Sequence, residues 1–237
     1  MRPVAAGLLC AAALSLPLPA LSADAFTDAM QAAYVPYRAA LFRTNGKSQE
    51  EAAKAVEQAQ QAWQALRRQV GTKPPPPYER DAKFDATLAQ VATVYERAAG
   101  EVRANQLSAA HETLEAVRGL LAELRQSNNV VVFSDAMNAY HAQMEHLLED
   151  GSKALTDDAA WMEWMARVGV LEYLGGALRS NAPAALLADA DFEAHLKAVQ
   201  GSVAALRSAS LAHDATAVRE ALGKLKGPYS RMFLKFG

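Results

Sequence analysis

Phe26-Thr27-Asp28-Ala29-Met30-Gln31-Ala32 returns 107 residues later as Phe133-Ser134-Asp135-Ala136-Met137-Asn138-Ala139. Further along, Phe84-Asp85-Ala86-Thr87-Leu88 is matched by Phe192-Glu193-Ala194-His195-Leu196 at an offset of 108. Leu114 and Val117 fall on Leu222 and Leu225 at the same offset, and Pro75 falls on Pro183. Chance does not hold so many matches at one spacing. The chain reads as an internal duplication, with units at 24–130 and 131–237.

Within each unit the pattern is helical. Alanine is abundant, and β-branched residues seldom run together outside Val130-Val131-Val132. A first helix is predicted from Ala25 to Arg43, stopping at Thr44-Asn45-Gly46. Ser48-Gln49-Glu50-Glu51 is a capping box, which satisfies free amides at the start of a second helix. Lys73-Pro74-Pro75-Pro76-Pro77-Tyr78 cannot continue that helix, because prolines lack amides and keep the residue before them extended. A third helix is predicted over roughly 81–104, and a fourth from Ser108 to the Ser127-Asn128-Asn129 stop. Thr156-Asp157-Asp158 opens the sixth. The tail from Gly227 carries Tyr229, Met232, Phe233 and Phe236, so it is expected to dock. The fold class is all-α: two tandem antiparallel four-helix bundles, packed through the fourth and fifth helices.

The first 23 residues read as a secretory signal. Arg2 precedes an apolar stretch from Val4 to Leu16, Pro17 and Pro19 break it, and Leu21-Ser22-Ala23 gives a small-residue cleavage end. The expected address is the periplasm. Cys10 is the one cysteine and lies inside this segment, so the mature chain has no disulfide, thiolate metal site or Cys nucleophile. No later stretch reaches the roughly 18 apolar residues of a membrane span. Without Arg2 the chain holds 23 cationic and 26 anionic side chains, with no dense basic cluster to grip nucleic acid. Elbow serines, P-loops, His-Glu-x-x-His and Gly-rich dinucleotide turns are absent from the sequence, which argues against an enzyme.

An acidic first helix with Met30 or Met137 on its second turn, a proline crossover, and a third helix opening on Phe84-Asp85 together resemble the periplasmic four-helix bundles of the cytochrome b562 and cytochrome c′ class. The resemblance implies the bundle fold and the periplasmic address. It also places Met30 and Met137 where that class holds an axial haem ligand. The partner histidine is replaced by Leu124-Arg125 and Met232-Phe233, and no Cys-x-x-Cys-His is present.

Two constellations carry candidate chemistry. Met137, His141, Met144 and Leu148 recur at helical spacing, on the stripe that Met30, Tyr34, Tyr37 and Leu41 occupy in the first unit. One imidazole between two thioethers suits copper or a haem iron; the alternative is a core histidine among gap-filling methionines. The second constellation is His111 with Glu115 and His141 with Glu145, each pair spaced to converge on one ion. If α-helical segments four and five form a plain hairpin, the two histidines stand about 12 Å apart along the axis. His146 or Glu149 would then complete a site with His111, Glu115 and Glu145; the alternative is a solvated face with Arg118 as the counter-charge. Trp161, Trp164 and Met165 read as core, and His195 and His213 as surface residues.

The expectation is an exported, non-enzymatic binding protein for a transition metal, copper or iron, with haem second, through His141, Met137, Met144, His111, Glu115 and Glu145. The alternative is a cofactor-free interaction or chaperone-like module that meets an envelope partner through an apolar patch around Trp161, Trp164, Phe233 and Phe236.

Overall fold

The computed structural model describes residues 25–70, 73–151, 155 and 157–237. The stretch read above as a signal, residues 1–23 with Cys10, lies outside them. The chain is an all-α helical bundle, with no strand among the described residues. Its long helices are α1 (Ala25–Thr44), α2 (Gln49–Gln69), α3 (Phe84–Arg103), α4 (Leu107–Ser127), α5 (Phe133–Asp150) and α6 (Asp158–Ser180). A single turn, α7 (Ala184–Leu187), leads into α8 (Ala190–Leu211), α9 (Ala215–Gly223) and α10 (Lys226–Phe236).

Side-chain oxygens start several of these helices. Ser48 accepts from the Glu51 amide, Asp157 from Ala160, Asp189 from Asp191 and Phe192, and Asp214 from Thr216 and Ala217. Each satisfies amides that the first turn leaves free. The proline connection closes on Tyr78, which is fully buried against Phe26 and Phe84 and hydrogen-bonded to Thr27 at 2.8 Å.

Helices α1 to α4 pack as a ring of neighbours, α1 on α2, α2 on α3, α3 on α4 and α4 back on α1. In the second half α5 packs on α6, α6 on α8, and α8 on both α9 and α10. The last helix of this half is thus in two pieces, and its second piece, the tail expected to dock, leans on α1 as well as α5. Packing between the halves runs through α10, together with the α1–α5 hydrogen bonds Tyr34–Asn138 at 3.4 Å and Ser134–Gln31 at 3.3 Å, in place of the expected broad face between α4 and α5. Of the apolar connection, Val131 is 80% exposed.

On α5 the buried seam is Phe133, Met137, Tyr140, Met144 and Leu147. It shares Met137 and Met144 with the expected stripe but takes Tyr140 and Leu147 in place of His141 and Leu148, which sit half-buried on its flank. Trp161 and Trp164 are core, as read, and the Trp164 indole donates to Ser210 at 2.8 Å. The expected apolar patch around these tryptophans and Phe233 is therefore not on the surface. Exposed apolar side chains instead include Met162, Val170 and Tyr173, all on α6.

Arg125, at the end of α4, is fully buried and reaches Asp135 in the first turn of α5 at 2.5 Å. Its second terminal nitrogen lies 3.7 Å from the Met30 sulfur. One carboxylate therefore neutralises a guanidinium placed deep in the bundle. Removing one partner of such a pair strands the other. Asp135→Ala should lower unfolding stability by about 3 kcal/mol in a urea titration, whereas Arg125→Met with Asp135→Leu should recover most of the loss.

Candidate metal site

The end of α1, the first half of α4, the middle of α5 and the start of α10 surround one cavity of about 190 Å³. Its walls include His111, Glu115 and Arg118 from α4, His141, Met144 and Glu145 from α5, and Lys226 and Tyr229 from α10. Both His-x-x-x-Glu pairs thus face the same space, although 30 residues separate the histidines. The hairpin geometry that would have kept them apart is not formed, because α4 packs on α3 and α1 while α5 packs on α6 and α10. His146 and Glu149 point to solvent, which removes them as the expected completing ligands.

His111 is held by α1. Its Nδ1 lies 3.1 Å from the Leu41 carbonyl and 3.3 Å from the Thr44 hydroxyl. Leu41 is in the last turn, and its carbonyl, which has two lone pairs, also receives the Asn45 amide at 3.3 Å. A carbonyl only accepts, so Nδ1 carries the proton and Nε2 is left with its lone pair. Nε2 is 3.5 Å from Glu115 Oε1. Burial pushes the His111 pKa down, and Arg118 and His141 push it the same way; Glu115 and the Leu41 carbonyl resist without prevailing. The ring is accordingly neutral at pH 7, and two acceptors face each other across a short gap.

His141 Nε2 stands 3.4 Å from Glu145 Oε1, and its ring stacks on Tyr229 at 5.2 Å. Each carboxylate also holds a fixed cation: Glu115 meets Arg118 at 3.0 Å, as expected, and Glu145 meets Lys226 at 3.0 Å. Burial alone would raise the Glu145 carboxyl, but hydrogen bonds from His141 and Lys226 outweigh it and bring the pKa down to about 2. Arg118 is likewise penalised by burial, yet Tyr229, Tyr37 and Glu115 raise its pKa overall. The two cations and the two carboxylates balance. In this arrangement no three His, Cys, Asp or Glu among the described residues stand close enough to hold one ion together. A shared ion would require His141 and Glu145 to turn toward the His111–Glu115 pair across the cavity.

Met144 belongs to the cavity wall, whereas Met137 and Met30 are fully enclosed in the core. A haem ligated through either of those two sulfurs does not fit, because neither has an open face. The cavity itself is also smaller than the about 300–1,000 Å³ of ordinary small-molecule pockets. Thr44 and Lys226 were not singled out from the sequence, and Tyr229 was read only as part of the docking tail, not of the site. Lys226 had a signal, since it follows Arg118 by 108 residues and both units thereby place a cation at that position. Tyr229 and Thr44 had none, because their roles arise only from how α10 and α1 pack.

Compared with family models, curated proteins and solved structures, the chain matches none.

The His111 proton binds more weakly in the folded chain than in the unfolded one. Below the ordinary His pKa of about 6.5, falling pH therefore favours unfolding until the folded ring also charges. Glu145 acts at lower pH: its contribution is present above the ordinary Glu value of about 4.3 and is lost as pH falls through about 2. An NMR titration should give a His111 midpoint below about 6.5, and a midpoint at or above it would contradict the burial argument. In urea titrations, the stability advantage of wild type over Glu145→Gln should shrink across the lower window.

Proposed function

We propose that the chain is an exported, non-enzymatic binding protein for a transition-metal ion, held by His111 Nε2, Glu115, His141 and Glu145. The observation that carries this reading is the bare Nε2 of His111 facing a carboxylate oxygen at 3.5 Å, with the second His-Glu pair on the same cavity. Two acceptors in that relation repel unless a proton or a metal ion lies between them, and the lowered His111 pKa disfavours the proton. Two imidazoles with two carboxylates suit copper(II), iron or zinc; Met144 on the wall offers a thioether to copper(I). The Leu41 carbonyl on Nδ1 is the outer partner that metal-ligating imidazoles use to fix ring orientation.

The export half of the proposal rests on residues 1–23, and the common ancestry of the two halves rests on the repeated residues. No described helix is long and apolar enough to cross a membrane. The second reading, an interaction module, is favoured by the exposed Met162 and Tyr173, at 71% and 75%. It draws no support from the cavity.

Isothermal titration of the mature chain with copper(II), zinc(II) and iron(II) tests the metal reading. The expected result is one ion per chain at micromolar affinity or tighter, weakened more than about 100-fold in His111→Ala and in His141→Ala, since direct ligands should exceed the 10–100-fold cost of outer-shell ones. Absence of binding, or binding indifferent to both substitutions, would sink it.

A further inference from the structure

We propose that Thr44 is a positioning residue for this site, holding the His111 ring so that Nε2, and not Nδ1, is offered to the ion. The inference rests on the metal reading above and adds a residue whose hydroxyl never touches the ligand. Thr44 is 1% exposed, in the last turn of α1. Its Oγ1 lies 2.9 Å from the Ala40 carbonyl, 3.1 Å from the Leu41 carbonyl and 3.3 Å from His111 Nδ1.

The hydroxyl has one proton, and the carbonyls behind it can only accept. The Leu41 carbonyl beside Nδ1 requires the proton to be on that nitrogen, so the Thr44 hydroxyl turns its own proton to α1 and accepts from Nδ1 as well. The Leu41 carbonyl receives the Nδ1 proton from the same side at 3.1 Å. A pair of acceptors thus grips one N–H, which excludes the other tautomer and limits rotation of the ring.

A purely structural Thr would need no histidine beside it, since its back-bond to Ala40 already satisfies a buried hydroxyl. The corresponding positions of the second unit separate the two roles. The 107-residue offset places Gly151 opposite Thr44, and the 108-residue offset places Arg219 opposite His111. The hydroxyl and the imidazole are present together in one unit and absent together from the other.

The test compares full-length mature chains carrying Thr44→Val, which keeps the shape and removes the oxygen, and Thr44→Ser, which restores it. Nitrogen-15 shifts of the His111 ring are recorded without metal, and zinc(II) affinity is measured separately. The expected outcome is a single Nδ1–H tautomer in wild type and Thr44→Ser, a mixed population in Thr44→Val, and about tenfold weaker zinc binding in Thr44→Val alone, the lower end of outer-shell effects. Should Thr44→Val not fold, Thr44→Ala provides the same comparison with space in place of a misfit. An unchanged tautomer and affinity in the oxygen-free variant would overturn the proposal. If wild type binds no zinc, copper or iron, the metal reading fails, while the metal-free tautomer still decides the role of Thr44.

Discussion

Tyr229 is the contact on which the junction of the two halves depends. Its hydroxyl accepts from Arg118 of the first half at 3.2 Å and donates to the Met137 carbonyl of the second at 3.3 Å. Its ring stacks on Tyr140, His141 and Phe233. Arg118 lies over the Phe233 ring at 4.3 Å, and Arg38 of α1 donates to the Phe233 carbonyl at 3.3 Å. The C-terminal helix is thereby anchored to α1, α4 and α5 by aromatic stacking and by cations that would be costly to bury alone.

The cavity follows from that wedge. α10 packs on both α1 and α5, α4 and α5 form no broad face, and a space remains between their two His-Glu pairs. Three of the polar groups around it have a partner on a different helix, Leu41 for His111, Lys226 for Glu145 and Tyr229 for His141, while Glu115 pairs with Arg118 of its own helix. Four elements must be in place together for this balance of charge to hold.

Much of the fold was legible because its signals are local. Ser48, Asp157 and the Lys73–Tyr78 proline run mark helix ends through hydrogen bonds and backbone limits that act within a few residues. Candidate ligands were legible as types at i, i+4 spacing. What was not legible is relational. Reading the α5 stripe through His141 took the neighbour of the buried residue, because Tyr140 and His141 both stack on Tyr229 and only the wider packing buries Tyr140 fully. The hairpin expectation for α4 and α5 failed for a similar reason: nothing in residues 127–133 announces that α10, a hundred residues on, will take the intervening place. The Thr44 contact to His111 spans 67 residues and leaves no pattern in either helix.

The most direct measurement is an anomalous difference map from crystals of the mature chain grown with zinc(II). A metal site at this cavity requires one strong peak about 2.0–2.1 Å from His111 Nε2, with His141 turned toward it. Peaks confined to the exposed His146 and His213, or none at all, would contradict it.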